Sequence, residues 1–164
     1  MSASAVLIAE SAVASMRHAA TAAYPNETGG ILLGVLADNA PWVVLADELV
    51  DSVRGRNHFR IAAGATSDAV SRAQQADPRI GYLGDWHSHP ANVGPSRTDL
   101  QTLQRYATVQ RCGPATTLIV LRREHDQWAL DPRRVFRWRT VTCSIHLTGD
   151  LPPACWTALE DHDA

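Results

Sequence analysis

Residues 81–90, GYLGDWHSHP, form an apolar run opened by glycine, carrying two histidines two apart and stopped by proline. Leu83 and Trp86 are side chains that a core requires; His87 and His89 are not. A β-strand has a side-chain period of two, so His87 and His89 project from one face while Trp86 and Ser88 point to the other. Two imidazoles on one face can converge on a single ion at about 2.0–2.1 Å per bond. Pro90 has no N–H to give a sheet and ends the strand where such ligands must stand free. The stretch predicts a buried strand over residues 79–87 with a ligand pair at its end. An HxH pair alone is equally what a surface strand shows.

Outward from this strand, helices and strands mix without strict βαβ alternation, which predicts an α+β domain built on a mixed sheet. AVLIA (residues 5–9) reads as a strand leading into an Ala-rich helix over 11–23 that Pro25 ends. GGILLGVLA and PWVVLADELV, separated by DNA, read as a hairpin. NHFRIAA is a brief strand and TSDAVSRAQQA a helix with Ser, Thr and Asp at its start. PSRTDLQTLQRYATVQ is a second amphipathic helix with Leu100, Leu103 and Ala107 on one face. ATTLIVLRR, QWALD and VFRWRTVTCSIHL close the domain as strands, the last with a bulge between Phe136 and Arg139 that flips its register. One domain is expected over residues 1–150, with 151–164 a loose tail tacked down by Trp156.

Two further segments carry chemistry. In PSRTDL, Ser96 is an N-cap candidate and Asp99 sits near N3, so each can satisfy an orphan helix N–H. That same cap places Asp99 in the first helical turn, facing the strand it follows. One carboxylate presented to two imidazoles makes three protein ligands and an open fourth position, the arrangement of a catalytic zinc site. In NETGGILLG, paired glycines permit close backbone approach, and Glu27 stands at the mouth of an otherwise apolar strand. It is either a solvated loop acid or the carboxylate that takes a proton from water and returns it to a leaving amine.

Glu27 in ETGG, then HSHP, then PSRTD together resemble the JAMM motif of the MPN (Mov34/PAD-1) metalloprotease family, over roughly residues 5–147. The ETGG and GDWHSHP segments are similar to bacterial members found near ubiquitin-like conjugation systems. The resemblance implies an MPN fold of the cytidine-deaminase-like type, a central mostly antiparallel or mixed sheet flanked by helices. It implies one zinc ion per chain on His87, His89 and Asp99, with Glu27 as general acid/base and Ser96 stabilising the oxyanion. It implies an isopeptidase or peptidase cutting after the C-terminal Gly-Gly of a ubiquitin-like protein or its conjugate, with an activating enzyme encoded nearby. The family pattern puts seven residues between the second histidine and the serine; here six intervene, Pro90 to Pro95. Segments 51–64 and 110–116, where eukaryotic deubiquitinases carry ubiquitin-clamping insertions, are short, which points away from ubiquitin itself.

Two rivals come from other classes. A non-catalytic MPN scaffold typically loses ligands that this chain keeps. RadC-type, nucleic-acid-associated proteins share an HxHP…PSxxD pattern, though usually as HNHP. Residues 122–139, RREHDQWALDPRRVFRWR, carry six arginines, three acids and three aromatics, the mixture a nucleic-acid surface uses and also that of a solvated basic hairpin. A formal net charge of −2 gives no general pull toward nucleic acid or anionic membrane. All fifteen basic residues are arginine, as coding bias or avoidance of lysine modification would produce. Cys112, Cys143 and Cys155 form no CxxC pair and are expected as reduced thiols of a cytoplasmic protein. The Ala/Val-rich N-terminus lacks a basic leader region, and no apolar run is long enough to span a membrane.

Overall fold

The computed structural model describes residues 5–49, 54–55, 58–59, 61, 64–109 and 115–152. In chain order these form β1 (Ala5–Ala9), α1 (Glu10–Ala23), β2 (Gly29–Ala37), β3 (Ala40–Glu48), β4 (Arg54–Gly55), β5 (His58–Phe59), α2 (Ala65–Ala76), β6 (Gly81–His89), α3 (Arg97–Val109), β7 (Ala115–Glu124), β8 (Gln127–Phe136), β9 (Thr140–Thr142) and β10 (Ser144–Thr148). One eight-stranded sheet runs β10-β1-β3-β2-β6-β7-β8-β9, and β4 pairs with β5 apart from it. The sheet is mixed: β1–β10, β1–β3 and β6–β7 are parallel, the other pairings antiparallel.

β9 and β10 lie at opposite edges of the sheet, yet only Cys143 separates them. The sheet must therefore curl until its edges nearly meet, and the Cys143 N–H bonding the Pro132 carbonyl (3.1 Å) ties the crossing point to β8. α1 packs across the concave face, where Val13, Met16 and Ala20 meet Val6, Leu32, Val43, Trp86, Ile119 and Leu121 in the main core. On the opposite face α2 covers Ile31, Leu33 and Val44 through Ala69 and Ala73. α3 covers Leu118, Val120 and Val135 through Leu103. The β6 parity expected from sequence holds: Trp86 enters the α1 core, and the histidines face the other way.

The two hairpins turn on residue pairs that tolerate positive φ: Asp38 (49°) and Asn39 (65°) between β2 and β3, His125 (46°) and Asp126 (62°) between β7 and β8. Leu103 is buried and Leu100 packs beside it, as the α3 pattern predicts; the Ala107 side chain lies outside the described residues. In NHFRIAA only His58–Phe59 is strand among the described residues.

The C-terminal strands depart from expectation. QWALD does not stop at Pro132; β8 runs through it to Phe136. Proline is tolerated because pairing on that outer side starts only at Arg133↔Thr142. The register change placed between Phe136 and Arg139 is a turn, closed by Phe136 N–H to the Arg139 carbonyl (2.8 Å), not a bulge within one strand. Apolar and polar residues alternate from Val141 to Leu147, and Cys143 is buried, but Leu147 is 59% exposed because β10 forms the sheet edge. Leu151 packs on the α2 cluster and the Pro152 carbonyl accepts Arg79 at 2.7 Å. Cys112, Cys155 and Trp156 lie outside the described residues; Cys143 is a free, buried thiol. Among the described residues no helix is long and apolar enough to cross a membrane.

Candidate active site

β6 ends in the middle of the sheet, paired with β2 on one side and β7 on the other. The Gly29↔His87 and His87↔Val120 register clamps the first histidine from both sides. Gly29 is there because nothing larger fits: a Cβ at that position meets the Trp86 carbonyl oxygen and lies 2.8 Å from the His87 Cβ. Both histidines are buried, at 9% and 7% exposure. The His89 Nδ1 lies 3.0 Å from the Val93 carbonyl, a contact that places the proton on Nδ1 and leaves Nε2 as a lone-pair donor.

α3 brings the third group. The Ser96 N–H donates to Asp99 Oδ2 (2.7 Å) and the Asp99 N–H donates to Ser96 Oγ (3.2 Å), a reciprocal capping box. The same Oδ2 lies 3.4 Å from His87 Nε2 and 3.9 Å from His89 Nε2, and the two Nε2 atoms are 3.1 Å apart. Capping and ligation are therefore compatible roles for one carboxylate. The three groups can hold a metal ion, their donor atoms lying within 4.8 Å of one another. A tetrahedral ion with bonds of about 2.0–2.1 Å sets ligand–ligand separations of about 3.3–3.4 Å, close to the triangle found.

Glu27 Oε1 is 3.9 Å from His89 Nε2, so a residue some sixty positions before the histidines joins them through the β2–β6 pairing. Burial pushes its carboxyl up to about 7; the His87 charge opposes this and the Asp99 charge adds to it. For Asp99, burial acts upward too, but the hydrogen bond and charge of His87 and the bonds from Ser96 outweigh it and hold the carboxyl well below the usual range. Burial lowers His89, favouring the neutral imidazole that a metal requires. The two carboxyls are thus driven apart, one toward carrying a proton at neutral pH and one toward staying ionised.

Two features went unread in the sequence. Asp85 shares the histidine parity of β6, accepts the Tyr82 hydroxyl (2.7 Å), and is pushed up to about 6 by burial against that bond and the His87 charge. An acid inside an apolar strand was the available signal. Thr28 and Ser88, both fully buried, bond each other, and the Thr28 hydroxyl donates to Glu48; no local pattern announces that network. The basic stretch 122–139 is divided by the fold. Arg122 and Arg123 lie at the histidine end of β7, Arg123 stacked on Tyr24 (4.3 Å), and Arg133 is paired with Asp131 (2.9 Å). Arg137–Arg139 form the turn at the far end of β8.

Residues 9–140 match the family of prokaryotic homologues of the JAB domain. The chain belongs to that family. The JAMM/MPN resemblance of ETGG, HSHP and PSRTD is thereby supported over residues 9–140. The domain is similar to a Desulfitobacterium hafniense protein of known solution structure, at 19% identity over 89% of this chain and 94% of that one, with a TM-score of 0.67. It is also similar to a Salinibacter ruber protein, at 21% identity over 91% and 94%, with a TM-score of 0.59. These likenesses are of fold. No curated protein matches the chain.

Proposed function

We propose that this JAB domain is a zinc-dependent isopeptidase or peptidase that cleaves after the C-terminal Gly-Gly of a ubiquitin-like protein, in deconjugation or precursor processing. The observation that carries the reading is the tetrahedron-sized triangle of His87, His89 and Asp99 with Glu27 beside it. Zinc, when bound by the three, supplies a Lewis acid that acidifies water and polarises the scissile carbonyl. The side chains do the rest. Glu27, buried and proton-affine, takes the proton of the attacking water and delivers it to the leaving amine. Asp99 stays ionised and lends charge to the ion. Ser96 Oγ accepts the Asp99 N–H, which leaves its own hydrogen available to donate to a developing oxyanion.

An extended substrate tail cannot add to the strands that carry the site, because β2 and β6 are paired on both sides. The β4–β5 ribbon offers an edge close in the chain to the site: its first residue follows Leu49, itself bonded to the Gly29 carbonyl, by five positions. Backbone pairing to that ribbon is the recognition mode we assign, with Gly-Gly small enough to reach the buried histidines. A ubiquitin-like partner, an activating enzyme encoded nearby and a cytoplasmic setting belong to the same proposal. The divided arginine stretch weighs against a nucleic-acid role, and the retained ligand set weighs against a scaffold without activity.

The test pairs wild type with Glu27→Gln on Gly-Gly fusions of ubiquitin-like proteins, with single- and double-stranded DNA as controls. The variant should keep one zinc per chain and lose about 10²–10⁴-fold in turnover. Zinc-dependent action on DNA with every fusion intact would overturn the reading.

A further inference from the structure

Glu27 lies outside any strand, since β2 starts at Gly29. Something must hold its carboxylate beside the imidazoles. The β2–β6 ladder reaches Gly29↔His87, and one step beyond it the Ser88 N–H donates to the Thr28 carbonyl at 2.7 Å. The return bond runs from the Thr28 N–H to the Ser88 hydroxyl (3.0 Å). The Thr28 hydroxyl then donates to Glu48 Oε1 (2.5 Å) at the end of β3. Thr28 and Ser88 are both 0% exposed, and a hydroxyl buried that deeply requires partners. Ser88 stands between the two histidines but points to the opposite face, away from any ion they would hold. Thr28 is the neighbour of Glu27 in the chain.

We propose that Ser88, Thr28 and Glu48 act as positioning residues, a three-residue lock that registers the Glu27 carboxylate against His87 and His89. The inference rests on the proton-carrier role given to Glu27 above. The lock makes the HSH segment do two things at once: its outer residues hold the ion, and its middle residue places the base. Removing the Ser88 hydroxyl strips the buried Thr28 N–H of its acceptor, and the segment must shift to find another, taking Glu27 with it.

Thr28→Val keeps the branched shape and deletes the hydroxyl, whereas Thr28→Ser keeps the hydroxyl; Ser88→Ala deletes the other side of the lock. The zinc-loaded chains are assayed for metal content, amide exchange at residue 28, and turnover of a Gly-Gly peptide bearing an aminomethylcoumarin leaving group. Thr28→Val should hold one zinc and lose about 10- to 100-fold in kcat, with KM changed less than about twofold. Thr28→Ser should recover most of that loss. Residue 28 should exchange at least about tenfold faster in Thr28→Val and Ser88→Ala. Exchange is read without turnover, so it tests the lock even where the peptide is a poor substrate. Unchanged exchange in both variants, wild-type kcat in Thr28→Val, or a loss that Thr28→Ser fails to recover sinks the lock. Full turnover by Glu27→Gln sinks the proton-carrier role instead.

Discussion

Gly29→Ala should damage stability and turnover together, because the close approach of β2 to β6 is what aligns Glu27 with the histidines. The added methyl would lie 2.8 Å from the His87 Cβ and 2.9 Å from its Cα, and nearer still to the Trp86 carbonyl oxygen. Ordinary contact begins at 3.4 Å, so β2 must retreat from His87 by 0.6 Å, the difference between 3.4 and 2.8, and from the carbonyl by more. The obstacles are backbone and Cβ atoms, which cannot rotate away. Overpacking of this kind costs about 1–3 kcal/mol. For a chain of this length each kcal/mol lowers the melting temperature by about 2–4 °C. A displacement approaching 1 Å between a base and its partner costs up to about 100-fold in rate. Thermal melts of the zinc-loaded protein and initial rates on a Gly-Gly fusion measure both effects. Gly81→Ala, in the partner strand β6 but with nothing within 4 Å of the new methyl, is the control and should melt within a degree or two of wild type. A Gly29→Ala protein that melts and turns over like the control would refute the reasoning.

Asp99→Ala should lose most of its zinc, because two imidazoles alone make a poor site; atomic emission on the purified variant reads this, and full occupancy would remove Asp99 from the ligand set. Ser96→Ala removes the acceptor of the Asp99 N–H and should lower stability by about 0.5–2 kcal/mol. If its rate per folded molecule also falls, by about 10²–10³, Ser96 is an oxyanion donor as well as a cap. In metal-free protein the raised Glu27 pKa means that folding favours its protonated form, so its ionisation penalises the native state as pH rises from the ordinary carboxyl value of 4.5 toward 7. The stability of Glu27→Gln relative to wild type should therefore grow across that window in denaturant titrations, and added zinc should shrink the gap. Asp99 has the opposite sign: its stabilisation is present above the ordinary carboxylate range and is lost on acidification through its depressed pKa. A pH-independent gap for Glu27→Gln would remove burial as the cause of the shift.

What the sequence determined alone is what short-range geometry controls. The period of two in GYLGDWHSHP placed both imidazoles on one face, and the capping spacing from Ser96 to Asp99 placed a carboxylate in the first turn of α3; both hold in the fold. Each depends only on neighbours a few residues away, where dihedral preferences and one hydrogen bond decide the outcome. Tertiary structure decided the rest. Glu27 reaches the histidines because β2 and β6 pair antiparallel across sixty residues of chain. Nothing near Thr28 indicates that its hydroxyl will find Glu48 on β3. The run from Phe136 to Leu147 reads locally as one strand, yet it turns at Arg137–Arg139 and crosses at Cys143 to the opposite edge. That crossing is fixed by closure of the curled sheet around α1, a condition imposed by the whole core and written in no single segment of it.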